Sequence, residues 1–196
     1  MLKRAIRSAG FTIVEICITL AIIAMIIAFG APQVATWIQN LQTRSAADSI
    51  VGGLQTARLE ALKRNTIVAF QLTSATSSAW HVCLFDIPTL ACQVGPPDIA
   101  SDPGTSWTNA RPGVENTFSN FTVVLNAGQN VPALVAFDSF GRIAPASPTN
   151  IARIDVRNKK VAAADERRLS ITIATAGQIR MCDPALSKAT NPQGCQ

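Results

Sequence analysis

The chain has 196 residues, of which 48% are apolar and only 15% charged, with a formal charge of +5. That length holds one modest domain plus an added element and excludes two full domains. Lys3, Arg4 and Arg7 account for three of the 17 basic residues, leaving 14 against 12 acids, so overall charge is no argument for a polyanion partner.

The first element is the run Phe11–Ala35 (FTIVEICITLAIIAMIIAFGAPQVA), in which Glu15 is the single charged residue. About 20 apolar residues cross a bilayer as a helix, and this run is long enough. The three basic residues before it predict a cytoplasmic N-terminus and an outward-facing remainder. A secretory signal with a cleavage site near Ala28-Phe29-Gly30 and a plain membrane anchor compete for the same stretch. Neither explains Glu15, since a charge at the centre of a membrane helix costs about 2.5–3.5 kcal/mol and asks for a partner.

The residues Gly10-Phe11-Thr12-Ile13-Val14-Glu15 resemble the G-F-T-L-x-E processing motif of type IV pilins and type II secretion pseudopilins, with Ile13 for the commoner leucine. The resemblance implies cleavage by a prepilin peptidase between Gly10 and Phe11, then methylation of the Phe11 amine. It also implies filament assembly through Glu15, paired with the N-terminal amine of a neighbouring subunit. The expected organisation is a leader over 1–10, the transmembrane half of a helix over 11–35, its amphipathic half over 36–65 and a periplasmic β-rich domain over 66–196.

Beyond the bilayer the helical pattern continues. Pro32 is expected to kink it, because proline removes a backbone hydrogen bond. Val34, Ile38, Leu41, Ala47, Ile50, Leu54, Ala57 and Ala61 recur at near-helical intervals and mark one apolar face. Arg44/Asp48 and Glu60/Arg64 stand four apart, as on a solvated face. Gly52-Gly53 marks a bend or a close approach, and Asn65 a helix end.

The pattern then changes to strands, predicted at Thr66–Leu72, Ala79–Ile87, Phe121–Leu125, Leu134–Phe137, Ile151–Val156, Leu169–Thr175 and Gln178–Cys182. Pro96–Gly113 reads as a long loop, and Asp138–Arg142 and Thr175–Gly177 as turns. The expected fold class is α+β, a long N-terminal helix on an antiparallel β-sheet domain. Cys17 sits in the apolar run, so Cys83, Cys92, Cys182 and Cys195 remain, with three possible pairings. Spacing favours Cys83–Cys92 and Cys182–Cys195, and such bonds suit an oxidising compartment. Zinc is the rival reading, but the chain has no C-x-x-C pair and His81 is its one histidine.

Three further segments narrow the resemblance. Ala57–Asn65 resembles the A-R-x-E-A-x-x-R-N helix end of the FimT/GspH branch of pseudopilins, with Trp80 and Phe137–Arg142 (F-x-x-x-G-R) placed as in that branch. Gly177–Cys182 resembles the G-R-x-R-x-C ending of FimT-like minor pilins, some of which bind DNA during natural transformation. Here Gln178 stands for the first arginine and Arg180 keeps the second. Lys159, Lys160, Arg167 and Arg168 add local positive charge, which attracts duplex phosphates without sequence preference. The resemblance therefore implies other pilin subunits, the prepilin peptidase, the inner membrane and double-stranded DNA as partners, with GspH-like secretion pseudopilins as the alternative. No Walker loop, G-x-S-x-G or acidic metal cluster is present, so neither an enzyme, a cofactor nor a small-molecule substrate is expected.

Overall fold

The computed structural model describes residues 12–73, 77–89, 91–93, 99–104, 108–112, 133–145, 151–162 and 164–195. The chain divides into two units, 1–38 and 39–196. One helix, α1 (Ile13–Arg64), runs through both.

In the first unit, α1 exposes its apolar residues all round, among them Ile13, Ile18, Leu20, Met25 and Phe29. This stretch is long and apolar enough to cross a membrane. In the second unit, Ala47, Ile50, Leu54, Ala57 and Ala61 are wholly buried, at alternating spacings of three and four residues that keep one face toward the sheets. Val34, Ile38 and Leu41 stay exposed, contrary to the periodicity. Periodicity registers a face but not which of its residues are covered. Asn65 ends the helix with φ 49°, and Thr66 N–H donates to the Ala61 carbonyl at 3.3 Å. A left-handed residue followed by this six-to-one bond is the Schellman stop.

Nine strands follow among the described residues. The first sheet joins β6 (Ala133–Phe137), β1 (Val68–Leu72) and β2 (Trp80–Asp86). The free edge of β2 is shared by β3 (Ala91–Cys92) at one end and β4 (Ala100–Asp102) at the other. The second sheet runs β5 (Thr108–Pro112), β7 (Arg153–Asn158), β8 (Leu169–Ile173) and β9 (Ile179–Cys182). All these pairs are antiparallel.

One expectation fails here: the Pro96–Gly113 passage contains β4 and β5 rather than a single loop. The strand expected at Ile151–Val156 is present as β7, shifted two residues to Arg153–Asn158. The expected strand Phe121–Leu125 lies outside the described residues.

Both sheets and the helix share one core: Val68, Phe70, Trp80 and Val82 from the first sheet meet Ile154, Val156, Ile171 and Ile173 from the second. Gly53 sits against this core. A Cβ there would lie 2.8 Å from Trp80 Cζ3 and 2.9 Å from Phe70 Cε2, so Gly53 marks a close approach, while α1 continues as a helix through it. Trp80 Nε1 donates to Ser49 Oγ at 3.0 Å, and Ser49 in turn donates to Asp102 of β4. A smaller apolar cluster, including Ala69, Cys83, Phe85 and Leu134, covers the outer face of the first sheet.

Candidate functional site

Gly10 and Phe11 lie outside the described residues. Thr12 is the helix N-cap: Glu15 N–H donates to Thr12 Oγ1 at 3.2 Å, the first half of a T-x-x-E capping box. Glu15 is exposed in the first turn, where the positive end of the helix dipole favours a carboxylate.

The segments Ala57–Asn65, Phe137–Arg142 and Gly177–Cys182, remote in sequence, meet at one point. Arg58 Nε donates to the Gly141 carbonyl at 2.9 Å. Gly141 and Gly177 have φ of 73° and 77°, and a Cβ on Gly177 would lie 1.9 Å from the Gly141 oxygen. Asp138 closes the turn, accepting from the amides of Phe140 and Arg142 at 2.9 Å each. Its other oxygen lies 3.2 Å from the Arg142 guanidinium, which sits over the Phe140 ring. The spacing of these motifs gave no sign that Arg58 is the clamp, because its acceptor is 83 residues away.

The cationic residues fall into two groups. Lys159, Lys160, Arg167 and Arg168 are all exposed on the connection from β7 to β8. That connection is tied down from within. The Glu166 side chain is fully buried between Arg157 at 3.3 Å and Arg168 at 3.1 Å, and it accepts from the Asn158 amide at 3.0 Å. The wholly buried Asn158 donates its side-chain amide to the Gln39 carbonyl at 3.1 Å and accepts from Lys160 N–H at 3.0 Å. Asn40 accepts from Arg167 N–H at 3.1 Å and donates to the Asp165 carbonyl at 3.3 Å. Part of the charge of Arg168 is therefore neutralised by Glu166. Neither Asn158 nor Glu166 stands out in the sequence, since their partners are assembled from three separate segments.

Arg180 belongs to a different place. The register sets it opposite Thr172, which in turn faces Arg153, six positions before Lys159. At about 3.3 Å per residue this puts Arg180 on the order of 20 Å from the lysines. The exposed Arg180 donates to the Pro192 carbonyl at 2.6 Å, inside the tail closed by the Cys182–Cys195 disulfide. Gln178 is exposed at the hairpin turn, and its carbonyl accepts from the Ala174 amide at 2.9 Å.

The other disulfide joins Cys83 and Cys92, and His81 lies beside it, with Nε2 3.3 Å from Cys92 Sγ. Outside the membrane-length stretch, the Glu60 carboxyl is held below its ordinary range by hydrogen bonds from Arg64 and then Lys63. This is a solvated ion-pair cluster at the helix end, with no catalytic neighbour among the described residues.

The profile of the family described as Type II transport protein GspH matches residues 46–177, from the buried half of α1 to the Gly177 turn. No curated protein sequence matches the chain. Two crystal structures of the type IV minor pilin FimU from Pseudomonas aeruginosa resemble it at 16% and 17% identity. They cover 82% and 78% of this chain and 99% of their own, with TM-scores of 0.47 and 0.44. With two thirds of its length inside that profile, the chain belongs to the GspH family of pilin-like proteins.

Proposed function

We propose that the chain is a minor pilin, cut between Gly10 and Phe11 by a prepilin peptidase, methylated on Phe11 and anchored in the inner membrane by the apolar half of α1. On this reading Glu15 meets the N-terminal amine of a neighbouring subunit during filament assembly, and the domain beyond residue 65 lies in the periplasm. The observation that carries the reading is α1 itself. Its first half is exposed and apolar, with one acid in the first turn, and its second half is built into a β domain. The role is structural, and the family to which the chain belongs supports that reading.

Co-expression with a prepilin peptidase, read by intact mass, tests processing. The expected product lacks residues 1–10 and carries one added methyl group. Glu15→Ala should be processed normally yet be lost from sheared filaments. An uncleaved chain beside an active peptidase, or wild-type incorporation of Glu15→Ala, refutes the proposal. The description of the matching family favours a second reading, a pseudopilin of a type II secretion system. Loss of exoprotein secretion on gene deletion, with surface pili intact, would select it.

Duplex DNA is the more specific partner under the first reading. Lys159, Lys160 and Arg167 on one loop and Arg180 on β9 supply exposed cations to meet phosphates, and the 159–168 segment contains no aromatic residue for base stacking. Binding should therefore be sequence-independent and fall steeply with salt. Lys159→Ala with Lys160→Ala, and separately Arg180→Ala, should each reduce the salt slope by about one for every phosphate no longer neutralised. No binding at low salt sinks the DNA reading.

A further inference from the structure

The outer face of the first sheet gathers four polar side chains on an apolar floor. Gln71 of β1 lies opposite His81 of β2, Ala69 opposite Cys83, and Cys92 of β3 opposite Phe85. Cys92 Sγ is 2.9 Å from Gln71 Oε1 and 3.3 Å from His81 Nε2. His81 Nε2 is 3.1 Å from Gln71 Oε1. The donor atoms of His81, Cys83 and Cys92 all lie within 4.8 Å of one another. Cys83 is buried, and Ala69, Phe85 and Leu134 surround it.

His81 Nε2 and Gln71 Oε1 both stand against Cys92 Sγ, contacts that a structural disulfide does not require. We propose that the dithiol form of this cluster is a zinc site, with Cys83 Sγ, Cys92 Sγ and His81 Nε2 as ligands and Gln71 Oε1 in the fourth position. Tetrahedral zinc has Zn–S near 2.3 Å and Zn–N near 2.0 Å, which sets its donors roughly 3.4–3.8 Å apart. His81 Nε2 stands a few tenths of an ångström inside that spacing from Cys92 Sγ and Gln71 Oε1, while Cys92 Sγ and Gln71 Oε1 would have to part by roughly half an ångström or more. With no S–S bond the two sulfurs move apart, which opens the remaining room. Two thiolates and one imidazole are a borderline-soft set suited to Zn²⁺, and the apolar floor limits competition from water.

The chemistry balances without a hidden reactant. A newly made chain carries both thiols. Zn²⁺ binds as the two thiol protons leave to solvent, forming two Zn–S bonds. A protein disulfide donor can later take two electrons from the pair. It takes up two protons from solvent to become a dithiol, Cys83 and Cys92 join, and Zn²⁺ departs. A dithiol reductant reverses this, ending as its own disulfide. Metal and disulfide are thus alternative states of the same two sulfurs.

The test uses the full chain in detergent, reduced with a phosphine under anaerobic conditions and titrated with Co²⁺ as a spectroscopic probe. The expected result is one Co²⁺ per chain, with thiolate-to-cobalt charge transfer that Zn²⁺ abolishes and that the oxidised chain does not show. His81→Ala should weaken binding at least roughly tenfold, and Cys83→Ser should remove the charge-transfer band. Alkylation of the wild-type chain, mapped by peptide mass, checks the assignment independently of any variant's folding. Zn²⁺ should protect Cys83 and Cys92 but not Cys182 and Cys195. No charge-transfer band, unchanged affinity in His81→Ala, or protection at Cys182 and Cys195 instead would each overturn the proposal.

Discussion

Adding one methyl group at two adjacent positions of α1 should shift stability in opposite directions. At Gly52 a new Cβ meets nothing within 4 Å, so Gly52→Ala gains helix propensity alone, up to about 1 kcal/mol. At Gly53 the same Cβ would sit 2.8 Å from Trp80 Cζ3 and 2.9 Å from Phe70 Cε2. Neither ring can yield cheaply. Phe70 is wholly buried, its centroid is 5.5 Å from that of Trp80, and moving Trp80 disturbs its bond to Ser49. Overpacking of this kind costs about 1–3 kcal/mol, against which the propensity gain is about 1 kcal/mol. Gly53→Ala should therefore show a net loss of up to about 2 kcal/mol. Urea unfolding of the full chain in detergent, followed by tryptophan fluorescence, reads both variants. For a domain of this size each kcal/mol corresponds to roughly 2–4 °C in Tm. A Gly53→Ala chain as stable as Gly52→Ala would refute the close packing of Gly53 on the two rings.

Other substitutions separate the remaining features. Gly177→Ala, which drives a Cβ into the Gly141 carbonyl at a positive φ, should prevent accumulation of folded protein, read as soluble yield and loss of near-ultraviolet circular dichroism. Arg58→Ala should cost about 1.5–3 kcal/mol in the same urea assay, the usual size for a charged hydrogen bond. Asn158→Ala removes one hydrogen bond each from the Gln39 carbonyl and the Lys160 amide and should cost about 0.5–1.5 kcal/mol for each, with faster hydrogen exchange confined to the 158–168 connection. Glu60 has its carboxyl pKa lowered in the folded chain, so its contribution is present above the unfolded value and lost as pH falls through the folded one. The stability gap between wild type and Glu60→Gln should accordingly close as pH drops below 4.5; a gap that persists there contradicts the assignment.

The helix and most strands were legible because their signals are local. The intervals 47, 50, 54, 57 and 61 announce a buried helical face, and alternation locates β1, β2, β6, β8 and β9 to within two or three residues. What the sequence hides is pairing. Ala91–Cys92 and Ala100–Asp102 are too short to show alternation, and exist because the edge of β2 offers backbone groups to satisfy. Thr108–Pro112 looks like a loop because it ends in proline, which a sheet tolerates at an edge, where β5 lies. The division into two sheets is equally non-local. So is the separation of Arg180 from Lys159 and Lys160, neighbours by composition but set apart by strand register.

The ties between α1 and the rest of the domain have a temporal consequence. Ser49 waits for Asp102, 53 residues later, Arg58 for Gly141, 83 later, and Asn40 for Arg167, 127 later. The first element made is thus completed by nearly the last. Pairings this distant in sequence slow the search for the native arrangement. Until β8 has been synthesised, the face bearing Ala47, Ile50 and Leu54 lacks part of its cover. A subunit anchored as proposed above would pass that interval at the membrane surface, with this apolar face open to a chaperone or to another chain.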